Sequence, residues 1–421
     1  MEILLGQDNV NPDNANDWGK TPLLGAAEMG HSYAVKMLLE RADVDPNKSD
    51  RDGRTPLLGA VEMGHNHIVK MLLGQAEVDP NKPDRYGRTP LSQAAAIEHG
   101  GLVKALLERA DVNPGMQDIY GRTPFSWASV AKGDSAVKLL LERKDINFNT
   151  LGRNGRTPLL LAALAGGEGV VKALLERNEI NPNMTDQDGR TLLLWAAQEG
   201  QESIIKMLLE RADVDFDMPD RHGRTPLWWA AMTGLGGVAK LLLRRISINP
   251  NKVDSEGRTP LSRAAENGGE SVVGILLERE DINPNTADLY GRTPLVWAAT
   301  NGSEGIVRVL LKHGDIKPGI PDNNGRTPLS WAVRNEHRGV VEMLLELGGV
   351  IPDKGALPPW VLQSHQYAIS TDISKQEHSK KPLGGEDSPS ELPEPLTKST
   401  RKFWLVGPRP KTHLASSHGS S

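Results

Sequence analysis

Hydrophobic residues recur along the chain in short bursts separated by polar turns, and the bursts have helical spacing. Asp50 to Pro83 contains one full cycle. Asp50-Arg51-Asp52-Gly53 reads as a turn, with Gly53 able to take a positive φ. Thr55-Pro56 reads as a helix start. The Thr hydroxyl accepts from free backbone N–H groups there, and proline stands where no N–H is needed. This first helix runs through Leu57, Ala60 and Val61 and ends at Gly64. A second helix, about Asn66 to Leu73, carries Ile68, Val69, Leu72 and Leu73 on one apolar face. Val78-Asp79-Pro80-Asn81 then leads outward as an extended arm. Its proline lacks a ladder donor, so the arm is expected to stay outside any continuous sheet.

The cycle repeats without slippage. Gly-Arg/Lys-Thr begins at Gly19, Gly53, Gly87, Gly121, Gly155, Gly189, Gly223, Gly257, Gly291 and Gly325, every step being 34 residues. The arm prolines, from Pro12 to Pro352, lie on a grid of the same spacing, with Phe148 and Phe216 at two of its points. A fixed period of this length predicts stacked helical units, each of which buries its apolar face only against its neighbours.

Thr-Pro-Leu, an Ala-Ala pair, Gly-His and a Leu-Leu helix within one unit resemble the ankyrin repeat. Thr21-Pro22-Leu23 with Ala26-Ala27 and Gly30-His31 is one clear copy, and Thr55-Pro56-Leu57 with Gly64-His65 another. The resemblance covers about residues 1–355 and implies an all-α solenoid of helix–turn–helix units with protruding hairpin-like loops. The Asp-Pro-Asn arms and frequent Trp-Ala-Ala are similar to long ankyrin arrays of filamentous fungi. Some positions depart from the family pattern. The period is one residue longer than the usual 33 or so. The His that normally follows Thr-Pro-Leu is replaced throughout, so its bonding role in the loop does not carry over. Leu192 stands for the helix-starting proline in one copy, and Glu98, Lys132 and Glu336 stand for the glycine after the first helix.

Domain organisation follows from the register. Leu4-Leu5 lies 34 residues before Leu38-Leu39, so residues 1–15 are expected to form a partial repeat, its second helix and arm. Residues 16–355 hold ten tandem repeats. Residues 356–364, with Leu357-Pro358-Pro359-Trp360-Val361-Leu362, read as a degenerate cap, and residues 365–421 as a disordered tail poor in apolar residues. Within the tail, Lys402-Phe403-Trp404-Leu405-Val406 is either a sticky disordered segment or a docking motif. Without a polar N-terminal cap, either the first repeat frays or the chain belongs to a longer product.

Composition removes several chemistries. The 421 residues contain no Cys, which excludes disulfides, thiolate metal sites and a Cys nucleophile. The net charge of −5, from 49 Lys+Arg against 54 Asp+Glu, predicts no general attraction to nucleic acid or anionic lipid. Apolar runs such as Leu192–Ala197 and Val272–Leu277 fall well short of the roughly 18–20 residues of a membrane span. The N-terminus also lacks a signal-peptide pattern. A monomeric protein of the cytoplasm or nucleus is the expectation. Aromatic residues are 4% of the chain, so its 43 Gly and 29 Pro serve largely as punctuation between short helices.

No catalytic, metal or cofactor site is expected. The histidines are dispersed, and His65 and His67 lack the i, i+4 spacing of a metal face. No nucleophile elbow or phosphate-cradling glycine loop is present. The periodic Arg54, Arg88, Arg122 and their counterparts suggest a basic stripe, but nearly every copy carries an Asp four residues earlier, which predicts local pairing. Trp127, Trp195, Trp229, Trp297 and Trp331 share one position, either filling gaps between helix pairs or lining a groove.

The resemblance implies partner binding through loop tips and the exposed ends of first helices. In the third to fifth copies these positions bring together Ala96, Ile97, Val130, Ala131, Leu164 and Ala165, with Tyr86, Ile119 and Tyr120 at the neighbouring tips. Trp228, which is hard to bury beside Trp229, and Met232 are further surface candidates. An apolar patch with a polar rim predicts a protein partner. The expected function is a non-catalytic interaction scaffold. The alternatives are a recognition arm of a larger machine, such as a ubiquitin-ligase adaptor or an NTP-dependent signalling receptor, and an enzyme with an unrecognised site.

Overall fold

The computed structural model describes residues 11–131 and 134–346. They belong to the first of two units, residues 1–364. The partial repeat up to residue 10, Lys132, the cap at 356–364 and the tail with Lys402–Val406 lie outside the described residues.

Twenty helices follow one another in ten pairs among the described residues, with no strand. First helices have seven or eight residues, for example Pro22–Glu28 (α1), Pro56–Glu62 (α3), Pro90–Ala96 (α5), Pro124–Ala131 (α7) and Pro158–Leu164 (α9). The partner helices include Ser32–Leu39 (α2), Asn66–Leu73 (α4), Gly100–Leu107 (α6), Asp134–Leu141 (α8) and Glu168–Leu175 (α10). Each first helix packs on the next first helix, and each second helix on the next second helix.

Local chemistry starts the first helices. Thr55 Oγ1 accepts the Leu58 N–H at 3.2 Å, and each of the ten copies repeats this cap at 3.1–3.4 Å. Replacing proline by Leu192 does not remove the start, because Thr191 still accepts the Leu194 N–H at 3.3 Å. Proline contributes a preset φ there, whereas threonine satisfies a donor. The residue after the first helix is left-handed: Gly64 has φ 75°, and Glu98 and Glu336 adopt φ 58° and 61°. A side chain in that region costs roughly 1–2 kcal/mol.

The core is a continuous strip of small and branched residues. The Ala-Ala pairs, such as Ala94-Ala95 and Ala230-Ala231, are buried and let neighbouring helices approach closely. In the Leu-Leu pairs the first leucine is buried, as at Leu38 and Leu106, while the second is half-buried in most copies, as at Leu39 and Leu107, and buried at Leu73 and Leu175. Burying each such leucine stabilises the fold by about 1.5–3 kcal/mol.

Three polar ladders tie each unit to the next. Loop tips join through backbone bonds, with Arg85 N–H donating to Asp52 O at 2.8 Å, Ile119 to Tyr86 at 3.0 Å and Arg153 to Tyr120 at 2.7 Å. In the arms, Asn81 Nδ2 donates to Asp111 O while its Oδ1 accepts the Asn113 N–H, both at 2.7 Å. Asn47, Asn149, Asn183, Asn251 and Asn285 make the same pair of hydrogen bonds to the next unit. At the ends of the second helices, Arg211 pairs with Asp213 at 2.7 Å and donates to the carbonyls of Leu175, Arg177 and Ile180 in the preceding unit. Arg109 serves Leu73, Gln75 and Val78 in the same way. The arms thus connect without joining a sheet.

Candidate protein-binding groove

The groove is framed by the turn that precedes each first helix. Asp118 shows how the turn is built. Its Oδ1 accepts the backbone N–H groups of Tyr120 and Arg122 at 2.8 and 2.9 Å. Its Oδ2 takes the Arg122 guanidinium at 3.0 Å and the Trp127 indole N–H at 3.2 Å. The guanidinium then lies 3.7 Å from the Trp127 ring centroid and 4.8 Å from that of Tyr120. Such charge-assisted bonds and cation–π contacts hold the arginine flat against the groove wall.

Asp50, Asp84, Asp186, Asp220, Asp254, Asp288 and Asp322 accept the same two N–H groups, all at 2.8–3.0 Å. Seven of the eight aspartates form an ion pair with the arginine four residues on. The arginine stripe is therefore largely neutralised where it stands. At Asp322, burial raises the carboxyl pKa, but the Arg326 and Asn324 N–H groups, the Trp331 indole and the Arg326 charge outweigh it and hold the group below its usual value.

The tryptophan series combines the two expected roles. Trp127, Trp195 and Trp297 rest half-buried against the core, yet each indole N–H reaches the turn aspartate and each ring lies under an arginine. Trp228 corrects an expectation: it is 1% exposed. Its position, directly after Thr-Pro-Leu, faces the neighbouring unit, where Leu24, Leu58 and Ser92 are also buried. Its Nε1–H donates to Asp254 of the next turn at 3.1 Å. Successive helical residues point about 100° apart, so Trp228 goes between units while Trp229 turns to the groove. The two rings meet edge to face at 5.3 Å.

The other candidates lie where the pattern placed them. Tyr86, Ile97, Ile119, Tyr120, Val130, Leu164 and Met232 are 37–51% exposed, while Ala96, Ala131 and Ala165 are half-buried. The packing of α5 on α7 and α7 on α9, with the tip bonds, brings the residues of the third to fifth copies together. Met232 belongs to a later unit and stands apart from them. More exposed apolar side chains occur near the start, at Trp18, Met29 and Met63. These occupy the same tip and helix-end positions.

Beside Met29 and Met63 runs a charged network. Glu28 pairs with Lys20 and, at 3.5 Å, with Arg54; Glu62 lies 3.9 Å from both Arg54 and Arg88. Burial pushes the Glu62 carboxyl pKa up despite these arginines. Among the described residues, no group of three His, Asp or Glu could hold a metal ion, and no helix is long and apolar enough to cross a membrane.

Paired short helices, threonine-capped and stacked with a fixed step, define a helical-repeat solenoid. A family model described as "Ankyrin repeats (3 copies)" matches residues 1–84, 67–150, 127–220, 212–288 and 261–354, and the chain belongs to the ankyrin-repeat family. Ankyrin repeats are generally protein-interaction modules and typically non-catalytic. No curated protein matches the chain.

Proposed function

We propose that the chain is a non-catalytic recognition scaffold that binds a protein partner through the groove of its third to fifth copies, acting as a monomer in the cytoplasm or nucleus. The observation that carries this reading is the cluster of exposed Ile97, Ile119, Tyr120, Val130 and Leu164 on helices and tips that are bonded to one another. Apolar side chains held on a rigid frame lose little conformational freedom on binding, which favours affinity. The self-paired arginines argue against a nucleic-acid reading, which needs unpaired positive charge.

Peptides selected on the wild-type array provide the test. Triple substitution Ile97→Lys, Ile119→Lys and Tyr120→Lys should weaken their binding at least tenfold while helical circular dichroism and melting stay near wild type. Unchanged affinity in the folded triple variant would overturn the reading.

A further inference from the structure

One turn in the groove lacks its acid. Gly152 stands where the other turns place aspartate, or asparagine at Asn16, yet the backbone keeps the same course: Gly152 N–H donates to Arg156 O at 3.0 Å and Gly155 N–H to Gly152 O at 2.8 Å. The donors that elsewhere converge on a carboxylate are left over. The backbone N–H groups of Asn154 and Arg156 meet no acceptor among the described residues, and the Arg156 guanidinium meets no carboxylate. Leu161 stands where five other copies place a tryptophan, and the Arg156 guanidinium lies 6.0 Å from the Trp195 ring of the next unit. Tyr120, Gly152, Asn154, Arg156 and Leu161 line a cleft of about 220 Å³ at this point.

We propose that this notch receives a carboxylate side chain from the bound segment of a protein partner, completing in trans the turn that aspartate completes within the chain elsewhere. The inference rests on the groove-binding reading above. Two backbone N–H groups suit one carboxylate oxygen and a guanidinium suits the other, the division of labour that Asp118 and Asp186 show in the adjoining turns. Leu161 and Tyr120 add apolar walls, so the favoured partner residue is an Asp or Glu beside an aliphatic side chain. A Cβ built on Gly152 would lie 3.5 Å from its nearest neighbours, an ordinary contact, so the site also has room for an internal aspartate.

The test titrates N-acetyl-aspartate N-methylamide into the isotope-labelled full chain at low salt and follows the backbone amides of Asn154 and Arg156 and the Arg156 Nε–H by NMR. Saturable shifts at these three groups are expected. They should be at least tenfold weaker with the asparagine analogue, and lost in Gly152→Asp, which should also melt higher than wild type. Equal response to the asparagine analogue, an unchanged response in Gly152→Asp, or shifts spread over exposed arginines outside the cleft, such as Arg221, would overturn the proposal. Tighter binding of inorganic phosphate than of the aspartate probe would also overturn it, assigning the notch to a phosphoryl group. If selected peptides still depend on Ile97 and Tyr120 but ignore Gly152→Asp, the notch proposal fails while the groove reading stands.

Discussion

The indole N–H of Trp228 donates to Oδ2 of Asp254 at 3.1 Å, joining the first helix of one unit to the opening turn of the next. Asp254 also accepts the Glu256 and Arg258 N–H groups, so one buried carboxylate fastens both its own loop and the preceding helix. Its neighbour Trp229 lacks a comparable bond, and its indole nitrogen is buried without a partner. Trp228→Phe should therefore destabilise the array by about 2 kcal/mol, from lost volume and a lost hydrogen bond to a charged group. Trp229→Phe should cost distinctly less. Urea unfolding followed by circular dichroism compares the two.

Glu98 and Glu336 hold left-handed backbone that glycine occupies in most copies. Glu98→Gly should stabilise the chain by about 1 kcal/mol, less than the full strain because glycine gains freedom when unfolded. The reverse change, Gly64→Ala, should cost about 1 kcal/mol through backbone strain, since a Cβ there meets only the His99 ring at 3.8 Å. Thermal melting of the two variants should move in opposite directions.

Asp217 occupies an arm position where Asn81 makes two bonds, yet it only accepts, from the Asn249 N–H at 2.7 Å, and its Oδ1 is buried without a partner. Burial pushes its carboxyl pKa up, against the Asn249 hydrogen bond and the Lys252 charge. A raised folded value means that its contribution to stability is complete below the ordinary carboxylate range, about pH 4, and is lost as pH rises through the folded value. Asp217→Asn restores an amide donor toward the Ser247 carbonyl. It should be more stable than wild type by about 1 kcal/mol at pH 7, with the difference shrinking as pH falls through the raised folded value and constant below about pH 4. Denaturant midpoints across pH 3 to 7 measure this.

Arg211 caps three carbonyls of the preceding unit and holds the Asp213 carboxyl below its ordinary range, chiefly through their hydrogen bond. A lowered folded value gives stability that is present above about pH 4 and lost as pH falls through the folded value. Arg211→Gln should cost about 1–3 kcal/mol at neutral pH and flatten the acid limb of the stability profile. An acid titration of both proteins at fixed urea separates the two effects.

Local features of the fold could be read from one unit. Asn66 to Leu73 is helical as its apolar spacing requires, and Thr55 caps the helix that Pro56 opens. Contacts between units were harder to see. Arg109, Arg211 and the arm asparagines act on groups 30–36 residues away, and in the sequence they look like ordinary polar positions on a period. Their signal was the regular recurrence of Leu-Glu-Arg and Asp-Pro-Asn. Burial of Trp228 beside Trp229 is not legible from one unit, because a first helix in a stack is covered from both sides. The tip residues were legible as positions, since the packing leaves Tyr86, Ile119 and Tyr120 exposed without dictating their identity.

Hydrogen exchange with and without a selected peptide tests the central claim most directly. The account predicts slower exchange in the amides of the third to fifth copies, at tips 86, 119 and 120 and along residues 90–97, 124–131 and 158–165. Protection confined to the Trp18, Met29 and Met63 region, with these segments unchanged, would contradict it.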